Sequence, residues 1–79
     1  MITLTVELVG ANWSVTSSEP DAKVQRFSSG GEAERAARMA AIALAGKGHD
    51  ARLIVRLMSG KIAGTLVIPA GRPELLLAG

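Results

Sequence analysis

The chain has 79 residues, no cysteine, 48% hydrophobic and 20% charged residues, and a formal net charge of +2. That length holds one small domain and no second core, and the cysteine count excludes disulfides and thiolate metal sites. The composition is globular rather than disordered, and its mild positive charge falls short of the dense Lys/Arg loading of a dedicated nucleic-acid binder.

Ile2, Leu4, Val6 and Leu8 alternate with Thr3, Thr5 and Glu7. A period of two with β-branched residues predicts a strand with one buried face. Gly10-Ala11-Asn12 reads as a turn, and Trp13 to Thr16 as a second alternating strand. Ser17-Ser18-Glu19-Pro20-Asp21 reads as a loop, because proline presets φ and the Ser and Asp side chains close local turns. Lys23 to Phe27 reads as a third short strand.

A helix follows. Ser29 and Glu32 have the spacing of a capping box, in which the serine hydroxyl accepts from the Glu32 amide and the carboxylate reaches back. Glu32 and Glu34 suit the positive end of the helix dipole. Ala33 to about Lys47 is rich in Ala, Arg, Leu and Met, all good helix formers. Gly46 and Gly48 are the C-terminal stop signals, with Lys47 beside them. At helical spacing Ala33, Ala37, Ala40 and Leu44 form one stripe, flanked by Ala36, Ala41 and Ala43. Ile42 falls on the other side, near Arg35, Arg38 and Met39.

Ala51 to Met58 reads as a strand and Ser59-Gly60-Lys61 as a hairpin connection. Ile62 to Ile68 is the partner strand, ended by Pro69. Gly71-Arg72-Pro73 is a loop before the apolar stretch Leu75-Leu76-Leu77. The expected fold is α+β: an antiparallel sheet of four to five strands with one helix packed on one face, in the order β-β-β-α-β-β. It is one domain over residues 1–79, with 69–79 as a loop and apolar tail. A domain this small buries only roughly 60% of its unfolded surface, so self-association is the available reinforcement. Met1-Ile2-Thr3-Leu4 carries no basic leader or cleavage site, and no apolar run approaches the roughly 18 residues of a membrane span. The expectation is a cytoplasmic protein without membrane contact.

The run Trp13-x-Val15, then Phe27-Ser28-Ser29, then Glu32-Ala33 with Ala36, Ala37 and Ala40, then a hairpin at Ser59-Gly60-Lys61-Ile62, resembles a small bacterial domain family of unknown function. Its pattern reads W-x-V, F-x-[ST]-x-x-E-A-x-x-x-A and, later, G-x-I. The resemblance covers residues 13–62; the loop from Ser17 to Ala22 and the leucine-rich tail lie outside it. It implies a fold and no activity. In layout alone the chain is also similar to small phage-encoded anti-CRISPR proteins: cysteine-poor, with N-terminal strands, a Gly/Ala-rich helix start and a hairpin. That likeness implies action by binding, on a nucleic-acid-bound effector complex in the host cytoplasm.

Residues that could carry chemistry are few. His49 and Asp50 are adjacent, and neighbouring side chains seldom face one another for acid–base work. They also lack further metal ligands. Ser28-Ser29-Gly30-Gly31 before a helix could cradle an anion, but neither G-x-x-x-x-G-K-[ST] nor G-x-G-x-x-G is present. Glu32 and Glu34 would repel a phosphate there, so a capped helix start is the better reading. No catalytic, metal or cofactor constellation is predicted.

Binding surfaces are the remaining candidates. If Leu53, Val55 and Leu57 face the helix, then Arg52, Ile54, Arg56 and Met58 face away, with Thr3, Thr5, Ser14, Thr16 and Lys61 on the same side. Such a face suits phosphates or an acidic protein surface, although it lacks the stacking aromatics of single-strand binders. Trp13 is expected in the core, with an interface anchor as the alternative. Leu75 to Leu77 can fold back in cis or add to a partner's sheet edge. The expected function is non-catalytic, stoichiometric protein association, with a second copy or an effector complex as partner. Arg52, Arg56, Lys61, Arg35, Met39 and Ile42 are the candidate contacts. The alternative is weak nucleic-acid binding through the Arg-bearing sheet face.

Overall fold

Alternation along the first two strands builds a hairpin. In the computed structural model, which describes residues 1–57 and 59–72, β1 (Ile2–Val9) pairs antiparallel with β2 (Asn12–Ser17), from Val9 opposite Asn12 to Leu4 opposite Ser17. Only Gly10-Ala11 joins them. Gly10 has φ +63° and, among the described residues, no non-glycine residue has positive φ, the pattern of a type II′ turn with its first central residue glycine. β3 (Gln25–Phe27) adds antiparallel to β2, setting Phe27 opposite Trp13. The connecting loop is tied down. Ser18 exchanges two bonds with Thr3, its amide donating to the Thr3 carbonyl and its Oγ accepting from the Thr3 amide, each at 2.9 Å. The Ala22 amide closes a turn over Pro20-Asp21 onto the Glu19 carbonyl.

The α1 helix (Gly30–Gly46) then crosses the sheet, and β4 (Ala51–Arg56) and β5 (Ile62–Ile68) complete it in the order β3-β2-β1-β4-β5. The fold is α+β, with one helix on one face of a five-stranded sheet, as the sequence predicts. Three of the pairings are antiparallel, but β1 and β4 run parallel, Leu4 opposite Leu53 and Val6 opposite Val55. The helix is the reason. It carries the chain back across the sheet, so β4 re-enters in the direction of β1, and a parallel pair requires such a crossover.

One face of the sheet forms the core. Leu4 and Val6 of β1, Val15 of β2, Ala51 and Leu53 of β4 and Ile68 of β5 are buried against Ala33, Ala37, Ala41 and Ala45 of the helix. The buried stripe thus follows every fourth residue from Ala33 to Ala45. Ala40 and Leu44 pack at its edge and Ala43 is exposed, so the predicted stripe is rotated by a fraction of a turn. Trp13 and Phe27 close the β2–β3 side of the core, half-buried. The helix starts close against Trp13: a Cβ on Gly30 would stand 3.1 Å from Trp13 Cε2 and Cζ2, so a side chain there would push the indole by a few tenths of an ångström.

Both helix ends are capped. Ser29, extended at φ −136°, accepts from the Glu32 amide at 3.2 Å. The Glu32 carboxylate accepts from the Ser28 hydroxyl at 3.3 Å, a variant of the predicted reciprocal bond. At the other end the Gly48 amide donates to the Ala45 carbonyl and the His49 amide to the Leu44 carbonyl. Those two bonds make a Schellman motif, and the φ of +94° at Gly48 is the left-handed residue it needs.

Asp50 is the hub of this end of the molecule. Its carbonyl accepts from the Ile2 amide at 2.9 Å and its Oδ1 from the Ala70 amide at 2.7 Å. The Gly71 amide then reaches the Ala45 carbonyl at 2.8 Å. β2 runs one residue further at each end than read from sequence, β3 begins at Gln25 rather than Lys23, and β4 ends at Arg56, short of the predicted strand. A register shift beside Arg56 accounts for the last, setting Val55 opposite Gly64 but Arg56 opposite Ile62. The predicted Leu75–Leu77 stretch and the predicted outward side of Met58 lie outside the described residues.

Candidate partner-binding surfaces

The six residues singled out from sequence fall into two groups. Arg35, Met39 and Ile42 project from the outer side of α1. With Gly31, Glu34 and Arg38 they line a single shallow groove. Their spacing of three and four residues puts them on one helix face. Met39 is 61% exposed while Ile42 is half-buried, so the methionine stands at the surface with the isoleucine as its floor. Arg35 and Arg38 are exposed around it.

The second group sits on the open side of the sheet and at the hairpin. Register places Thr3, Arg52 and Val67 in one row across β1, β4 and β5, and Thr16, Thr5, Ile54 and Thr65 in the next. Glu7, Ser14 and Arg26 make a third across β1, β2 and β3. This face mixes hydroxyls and the Glu7 carboxylate with apolar Ile54 and Val67, and Arg52 and Arg26 are exposed on it. Arg56 is held differently. It is half-buried, and its Nη1 donates to the Gly60 carbonyl at 3.2 Å, bracing the hairpin. Lys61 lies in the connection before β5, with its amide on Ser59 Oγ. Leu57, expected to face the helix, lies beyond the end of β4 and is exposed.

The other sequence candidates resolve into structural roles. His49 contributes its backbone amide to the helix cap, and the Asp50 carboxylate is occupied by the Ala70 amide. The glycine-serine joint is a capped helix start. Among the described residues no group of three or more His, Cys, Asp or Glu side chains is gathered as metal ligands would be, and no helix is long and apolar enough to cross a membrane.

No family model, curated protein or solved structure matches the chain. What the molecule does must therefore be argued from its own surfaces.

One surface escaped the sequence reading. β5 was read from sequence only as a hairpin partner strand, with no exposure assigned, and in the fold its Ile62, Leu66 and Val67 are 53%, 42% and 45% exposed, and only Ile68 is buried. The helix is the cause: α1 lies over β1, β4 and β2 and hardly reaches β5. The signal available in sequence was the helix length set against five strands, since one helix cannot cover them all.

Proposed function

We propose that the chain acts by stoichiometric association with another protein, through the outer side of α1. The observation that carries this reading is the grouping of Met39 and Ile42 with Arg35 and Arg38 in one groove. An exposed methionine is a flexible apolar contact that adapts to a partner's shape. An apolar centre bordered by arginines has the composition of interface hot spots and their rims. The partner chemistry that fits is an apolar side chain presented among carboxylates. In a pull-down from host-cell lysate, wild-type protein retains a stoichiometric partner that Met39→Glu and Arg35→Glu lose. Equal recovery by wild type and both variants would overturn the reading. The layout shared with phage-encoded inhibitors makes a nucleic-acid-bound defence complex the first partner class to test, by its nuclease activity with and without added protein.

A second reading is favoured by the rows on the open sheet face. Arg52 and Arg26 stand exposed on the same face as Thr3 and Thr16, and exposed guanidiniums and hydroxyls are groups that contact phosphates. Both aromatics, Trp13 and Phe27, pack on the opposite face with the core, so this surface offers no base-stacking platform. Binding here is weak, sequence-independent and steeply salt-dependent. A gel shift at low salt that Arg52→Glu reduces is the expected result, and no shift at low salt removes the reading.

A further inference from the structure

We propose that β5 is a self-pairing edge: two copies of the chain join β5 to β5, antiparallel about a two-fold axis at Thr65, so that one sheet runs through both. The inference goes beyond the helix-groove reading and does not depend on it.

The edge itself is the first argument. No strand lies on the outer side of β5 among the described residues. Ile62–Ile68 reads IAGTLVI, without a charge or a proline. Sheet edges left open to solvent are ordinarily blunted by shortness, charge, proline or a bulge, because their unpaired amides and carbonyls template another strand. One bulge interrupts this edge: Val55 lies opposite Gly64 and Arg56 opposite Ile62, which leaves Ala63 of β5 as the extra residue near its start. From Gly64 to Ile68 the ladder with β4 is regular, which leaves a straight edge with Leu66 and Val67 exposed beside it.

Self-complementarity is the second. Leu66 pairs across β4 with Leu53 and Gly64 with Val55, so both lie on the helix side, whereas Thr65 pairs with Ile54 and Val67 with Arg52 on the open side. A two-fold axis at Thr65 sets Gly64 of one copy opposite Leu66 of the other, twice over. A Cβ placed on Gly64 meets nothing within 4 Å, and that is the space the second copy's Leu66 fills. The two Thr65 side chains meet at the axis, a favourable cross-strand pair, and the pairing uses the regular part of each edge, Gly64 to Leu66.

The helix rim supplies the third. A groove of about 200 Å³ runs above this edge, lined by Leu53, Val55, Gly64 and Leu66 and bordered by Glu34 and Arg38. Those two charges are one helical turn apart. Reversal by the two-fold brings Glu34 of each copy toward Arg38 of the other, the opposite-sign match that an isologous contact requires.

The test uses the full chain and the absence of native cysteine. Light scattering over a concentration series is expected to rise to twice the 8.2 kDa mass. Thr65→Lys, which sets like charges face to face at the axis, should weaken the dimer by at least about tenfold while circular dichroism confirms the fold. Thr65→Cys should oxidise rapidly to a symmetric disulfide dimer, and Arg26→Cys on the opposite edge should not. A monomer at millimolar concentration overturns the proposal, as do a dimer that Thr65→Lys leaves intact and cross-linking of Thr65→Cys no faster than that of Arg26→Cys. If Thr65→Lys fails to fold, the cysteine pair decides alone. A monomeric outcome leaves the helix-groove reading standing, because the Met39→Glu pull-down tests that surface separately.

Discussion

The two edges of the sheet are built on opposite plans. β3 is three residues long, carries Arg26, and is pinned at its end by Phe27 against Trp13. β5 is seven residues long, uncharged, and buried only at Ile68. The first is an edge protected against further pairing, and the second is blunted only by the bulge at Ala63, near its start. The asymmetry follows from the helix. Its narrow alanine stripe lets it settle close on β1 and β4, and its start against Trp13 ties it toward the β2–β3 side. Coverage gained on that side is lost over β5.

Substitutions can break or sharpen this contrast. The largest effect is expected at Ile68, the biggest fully buried side chain and the one core anchor of β5. Ile68→Ala should cost about 2–5 kcal/mol in urea unfolding, as cavity-forming changes in cores do. Next is the opposite anchor: Phe27→Ala, at a half-buried position, should cost about 2 kcal/mol and release β3 while β5 amides keep their protection. Gly48→Ala forces a side chain into a left-handed backbone and should cost about 1–2 kcal/mol, loosening the helix end to which the segment after β5 is tied. Asp50→Ala removes the acceptor of the Ala70 amide and should cost about 1 kcal/mol in the same assay. The smallest effect on stability belongs to exposed Leu66: Leu66→Thr should change unfolding by less than about 0.5 kcal/mol, and a larger loss would mean that β5 is packed like β3.

Much of this architecture was legible in the residues. The alternation of Ile2, Leu4, Val6 and Leu8, the Ser29–Glu32 cap and the span of Ile62–Ile68 all read directly, because each is set by local chemistry. The parallel pairing of β1 with β4 did not, since a period of two is the same for parallel and antiparallel partners. The buried helix stripe was misplaced by a fraction of a turn because alanines surround most of the helix; where nearly every face is apolar, periodicity carries little contrast. Asp50 was weighed as a partner for His49 and set aside, and the group its carboxylate does bind, the Ala70 amide, is visible only after β4 and β5 have paired. The candidate contacts were recognised by residue type, yet the fold divides them. Arg35, Met39 and Ile42 share a groove, Arg52 stands on the open sheet face, and Arg56 is spent bracing its own hairpin.

Asp50 also bears on how the molecule opens. Through one residue, the first amide of β1 and the amide that follows β5 are joined, and the next amide along reaches the helix terminus. The protons of Ile2, Ala70 and Gly71 should therefore exchange with deuterated solvent as one cooperative group, at a common rate, although they come from opposite ends of the described chain.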